Sequence, residues 1–244
     1  MRLLHFGFAQ LRRRLGNKQA YFVLRSACTL APPNLGGASA IKISKLILYC
    51  ARLALTLQKK INMVDKEYLN SFENKLTDEL LRLCTAYKTL DGTLLATDDI
   101  DGKWDAIAPE YIADAVKEIN AYPTVSVAWA AYVGMAAAHY WDKDFEQFSS
   151  MQYSALYGKQ GFDDMDENIL QEVLSLPLES TIAQDTESMI RRCAESTVSL
   201  IRHEQVEPQS PTAFYVFTRA ARTMFRIGAA LQLKRMGYKF EKVK

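Results

Sequence analysis

Eighteen consecutive residues, Thr124 to Trp141 (TVSVAWAAYVGMAAAHYW), carry no Asp, Glu, Lys or Arg. Wound as a helix at about 100° per residue, they place Val127, Ala130, Ala131, Gly134, Ala137 and Ala138 on one side. Val125, Trp129, Tyr132, Ala136 and His139 fall on the other. A helix that is apolar all round is buried all round, so this stretch predicts a central helix with neighbours on every side. Ala130, Gly134 and Ala138, spaced by four, form a flat strip that another helix can approach closely. The longer run from Ala121 to Trp141 has the length of a membrane span. Its alanines are only weakly hydrophobic, however, it contains Pro, Thr, Ser and His, and neither flank carries a basic cluster. A helix buried in protein, with no membrane span, is the expectation.

The segments around it read as amphipathic helices. Asp65 caps a predicted helix over 66–90, with Leu69, Phe72, Leu76, Leu80, Leu83, Tyr87 and Leu90 at steps of three and four. Gly92 supplies its stop. A loop is expected over 94–105. Pro109 then opens a short helix to about Ala121, with Ile112, Val116 and Ile119 inward. After the central helix, a further one to about Tyr157 places Phe145, Phe148 and Leu156 inward. Helices over 165–176 and 179–206 follow, the latter with Ile182, Met189, Cys193 and Leu200 on its inner stripe. Ser210-Pro211 is a cap and first turn for a last helix ending at Gly237, with Phe214, Phe217, Ala221, Phe225 and Leu231 in the core. Strand signals are nearly absent. The fold class is all-α, a single bundle-like domain of six or seven helices around residues 124–141.

Charge divides the chain at Met63. Residues 1–62 contain eleven basic side chains and no acid, whereas all 28 acids and 19 of the 30 basic residues follow, a formal balance of −9. Phosphate binding needs a clustered positive surface, so an acidic body argues against nucleic acid as its partner. For the leader, three readings stand: a targeting peptide, a basic arm for RNA or anionic lipid, or a segment outside the functional protein, with synthesis starting at Met63. It is expected to be poorly ordered, with the all-α domain over 63–244.

Candidate chemistry is sparse. Four cysteines, Cys28, Cys50, Cys84 and Cys193, form no CxxC or zinc-spaced cluster, and the two in the body read as buried thiols of a reducing, cytoplasmic setting. In Asp98-Asp99-Ile100-Asp101-Gly102, which resembles the start of a calcium loop, the first and twelfth ligand positions fall on Thr97 and Ala108, so two oxygens are missing. Asp163-Asp164-Met165-Asp166-Glu167 looks like the magnesium motif of terpenoid synthases. It follows a glycine at a helix start, where acids serve as caps, and no second such motif is present. No P-loop, GxGxxG, GxSxG or HExxH occurs. No catalytic residue, metal or cofactor is assigned.

Two groups remain as candidate sites. Trp129, Tyr132, His139 and Trp141 would line an aromatic small-molecule pocket if the helix borders one. Arg219, Arg222 and Arg226, on one face of the last helix, would grip an anion or a partner, or pair with carboxylates of a neighbouring helix. The functional expectation is a non-catalytic helical protein acting through protein contacts or as a homo-oligomer. The alternative is a small-molecule-binding or enzymatic bundle with its pocket beside His139.

Overall fold

The computed structural model of the chain describes residues 65–239; the expectations for residues 1–62 lie outside them. The described residues form seven α-helices and no strand: α1 (Lys66–Ala86), α2 (Asp98–Glu118), α3 (Pro123–Lys143), α4 (Phe145–Ser150), α5 (Met165–Asn168), α6 (Thr181–His203) and α7 (Pro211–Arg235). A 3₁₀ turn, Tyr153–Leu156, lies between α4 and α5, and α5 continues into a π-helical turn, Ile169–Val173. The fold is an all-α bundle. Among the described residues no helix is long and apolar enough to cross a membrane.

Central α3 owes its place to its composition. Every residue from Trp129 to Ala138 is buried. Helices α7, α6 and α2 pack along it, and α4, α5 and the π-helical turn close the remaining side. α1 packs on α7 and α6. An alanine methyl gains only about 0.8 kcal/mol from burial, so a helix of alanines depends on close approach and the many small dispersion contacts it allows. That approach is made by α7. A Cβ added to Gly134 would lie 1.9 Å from the Phe225 carbonyl oxygen, and one on Gly228 would lie 1.9 Å from the Ala131 carbonyl oxygen. The two backbones touch where each helix lacks a side chain. The small-residue strip is thus the α7 contact.

Local signals set the helix ends. Asp65 Oδ1 accepts from the Glu67 and Tyr68 amides (2.9 and 3.3 Å) to start α1. Ser210 Oγ accepts from the Ala213 amide (3.1 Å), with Pro211 in the first turn of α7. Gly237, at φ +95°, ends the run. Each such cap contributes about 1 kcal/mol.

Several expectations are corrected. Residues 94–105 are not all loop, and Pro109 does not start a helix. α2 begins at Asp98, because Thr97 Oγ1 caps the Ile100 amide (3.1 Å) and Asp98, Asp99 and Asp101 sit in the first turn, where the helix dipole favours negative charge. Pro109 lies mid-helix. It leaves the Asp105 carbonyl without its usual amide, but both residues are exposed, so water can take that place. The inward stripe is Ile100, Trp104, Ile107, Tyr111, Ile112 and Ala115, with Ile119 packed against the core as expected, whereas Val116 is exposed. α1 stops at Ala86, before the left-handed Lys88 (φ 60°), which leaves Tyr87 exposed. α4 lasts six residues, and Phe145 is 57% exposed while Phe148 and Leu156 are buried. Residues 165–176 make one α turn and then a π turn rather than a continuous helix. Ile182 (55% exposed) and Phe214 (47%) lie in first turns that overhang the core, so they miss burial although the spacing puts them on the inner stripe.

Candidate functional site

The side chains that mark α3 as a candidate site spread along it rather than meeting. Trp129 and Trp141 are twelve residues apart, about 18 Å at 1.5 Å per residue. At the first of these positions, the Trp129 ring meets Phe162 edge-on, with centroids 4.1 Å apart, and the Asp166 carboxyl stands near its indole. Burial raises the Asp166 carboxyl above its ordinary value, against the pull of two backbone amides and that indole. Tyr132 is buried nearby. Burial, followed by the charges of Asp166 and Glu187, raises its phenol, so it stays neutral.

His139 stands near the other end, half-buried. Its Nδ1 lies 3.4 Å from Gln232 Nε2 of α7, a contact that suits a neutral ring accepting at Nδ1. Burial lowers the imidazole below its ordinary value, and Arg235 and Lys143 lower it further. Trp141 Nε1 donates to Asp99 Oδ2 of α2 (3.3 Å), and its ring packs on Tyr238 at 5.9 Å. The Tyr238 hydroxyl donates to Asp142 Oδ1 (2.5 Å). The first two of the four residues thus face the α5 side, and the last two hold the α2 and α7 ends. A concavity of about 500 Å³ lies elsewhere, on the last turns of α1, lined by Asp78, Leu81, Arg82, Thr85, Ala86 and Gly92. It does not border these four side chains, and it holds no nucleophile–base pair.

The arginines of α7 face carboxylates of two other helices. Arg219 donates to Glu73 Oε2 of α1, Arg222 stands 3.8 Å from Glu73 Oε1, and Arg226 Nε lies 3.1 Å from Asp101 Oδ1 of α2. That last pair is close but poorly aligned for a hydrogen bond, so its attraction is mainly coulombic. Three cations against two carboxylates tie α7 to both neighbours, with Arg222 held least tightly.

Two groupings carry no signal in the sequence. Tyr111, Tyr153 and Tyr157 cluster with Phe162, at centroid distances of 5.2 to 6.4 Å. Tyr111 donates to the Ser126 carbonyl (2.6 Å) and Tyr157 to Asp114 Oδ2 (2.5 Å). Burial and the Asp114 carboxylate push the Tyr157 phenol up to about 12, and burial raises the other two as well. All three are therefore neutral at ordinary pH, donors rather than bases. The second grouping is Cys84 and Cys193, whose sulfurs lie 3.8 Å apart across α1 and α6. Of the acids in 163–167, Asp164 accepts from the Gln160 amide, Asp166 faces Trp129 and Asp163 is exposed. Among the described residues no three His, Cys, Asp or Glu side chains gather as a metal site. Comparison of the chain with protein families, characterised proteins and solved structures finds no match.

Proposed function

We propose that this chain is a non-catalytic helical protein that works by contact with protein surfaces, a second copy of itself included. One observation carries the reading: the polar and aromatic groups a pocket would need are spent on internal partners, while bulky apolar side chains stay outside. Trp141, Tyr111 and Tyr157 each donate to an acceptor within the bundle, Trp129 packs edge-on against Phe162, and the α7 arginines face Glu73 and Asp101. Tyr122, Phe145, Ile182, Phe214 and Tyr215 are all exposed. Phe214 and Tyr215 form an edge-on pair (5.8 Å) near the start of α7, where two adjacent aromatics supply a large apolar area.

Sedimentation equilibrium of the full chain over a broad concentration range tests this. Self-association that weakens in Phe214→Ser/Tyr215→Ser, with helicity unchanged, supports it. A chain that stays monomeric, yet gains thermal stability from a small molecule and loses that gain in His139→Ala, would replace it with the pocket reading.

A further inference from the structure

Cys84 and Cys193 are separated by 109 positions in sequence, and the fold brings them into contact. Both are buried, both are free thiols, and 3.8 Å separates their sulfurs. Their surroundings differ. Cys193 sits in the middle of the 23-residue α6. Cys84 lies in the last turn of α1, and its carbonyl accepts from the Thr89 amide (2.9 Å) and the Thr89 hydroxyl (3.0 Å) of the link that follows. That link passes through left-handed Lys88 and is tethered by the ion pair of Asp91 with Lys234. Helix ends open more readily than helix middles, so Cys84 is the sulfur a small solute reaches first. Proton sharing adds to the asymmetry. A hydrogen bond from Cys193 lowers the Cys84 thiol, whereas the same contact, with burial, raises Cys193.

We propose that Cys84 and Cys193 form an oxidisable dithiol whose co-reactant is a small hydroperoxide. The Cys84 thiolate attacks the distal peroxide oxygen. An S–O bond forms, the O–O bond breaks, and the leaving alkoxide or hydroxide takes up a proton, giving Cys84 sulfenic acid and an alcohol or water. Cys193 sulfur then attacks Cys84 sulfur. The S–S bond forms, the S–O bond breaks, and the departing oxygen leaves as water with the Cys193 proton. Both sulfurs are oxidised by one electron each, and the two peroxide oxygens are reduced. Bond formation needs the sulfurs to close from 3.8 Å to about 2.0 Å. The product ties α1 covalently to α6.

The folded full chain, treated with hydrogen peroxide, alkylated and digested without reductant, provides the test. The expected result is a peptide pair joining Cys84 to Cys193, lighter by two hydrogens and released by dithiothreitol. In Cys193→Ser, dimedone should trap a sulfenic acid on Cys84; in Cys84→Ser, Cys193 should stay unmodified. Circular dichroism checks that each variant folds, and if one does not, the wild-type linkage decides alone. Recovery of both as free thiols after peroxide treatment, or bonds formed only to Cys28 or Cys50, would overturn the proposal.

Discussion

Gly134 and Phe225 meet backbone to backbone: a methyl group on the glycine would fall 1.9 Å from the phenylalanine carbonyl oxygen. The oxygen belongs to α7 itself and cannot swing away as a side-chain tip would. Gly134→Ala must therefore push the helices apart. Overpacking of this kind costs about 2–3 kcal/mol, more than the roughly 1 kcal/mol that alanine gains over glycine in a helix. Gly228→Ala should behave alike. Gly102, exposed on α2 with nothing within 4 Å of an added Cβ, should respond with the opposite sign. Gly102→Ala is expected to stabilise by about 0.5–1 kcal/mol. Urea denaturation midpoints of the three variants check both signs.

Glu73 receives Arg219 and lies within 3.8 Å of Arg222, almost out of contact with solvent. Removing it leaves two guanidinium groups without their carboxylate. Both arginines are about one-third exposed, so water recovers part of the loss, and Glu73→Ala should cost about 1–2 kcal/mol rather than the full penalty of a buried pair. A double-mutant cycle with Arg219→Ala should return a coupling of roughly 1 kcal/mol that shrinks in high salt. Additive single and double variants would show that the contact adds nothing.

His139 makes stability depend on pH. Its folded-state pKa is depressed, by burial first and then by Arg235 and Lys143. The unfolded chain therefore takes up this proton at higher pH than the folded one. Stability is fully present above the ordinary histidine pKa of about 6.5 and is lost as pH falls toward the folded value. Between roughly pH 7.5 and 5, the wild-type denaturation free energy should drop more steeply than that of His139→Gln, which has no proton to gain. Parallel curves would remove the histidine from the account.

How much of this was legible beforehand depends on how local each signal is. The stretch around Trp129–Ala138 announces its burial by carrying no charge, and Ser210-Pro211 announces a helix start by capping chemistry. Both need only neighbouring residues. Pro109 is ambiguous because a proline looks the same at a helix start and in an exposed helix middle. Only the surroundings of the Asp105 carbonyl distinguish the two. Phe145, Ile182 and Phe214 obey the inward spacing yet lie in first turns, and periodicity does not say where a neighbouring helix ends. The partners of Arg219 and Cys193, Glu73 and Cys84, stand more than one hundred positions away. Trp129, Tyr132 and His139 share a face in projection, but projection discards the axial distance between them, and Trp141 lies off that face altogether.

Native-state hydrogen exchange over Ser126–Ala138 is the most direct test of the central claim that α3 is enclosed on all sides by packed helices. Its amides should be among the last in the chain to exchange, opening only with global unfolding, and Gly134→Ala should accelerate them by the factor its lost stability dictates. Exchange of this segment as fast as that of the exposed first turns of α6 and α7, under conditions where the rest of the bundle stays protected, would contradict the account.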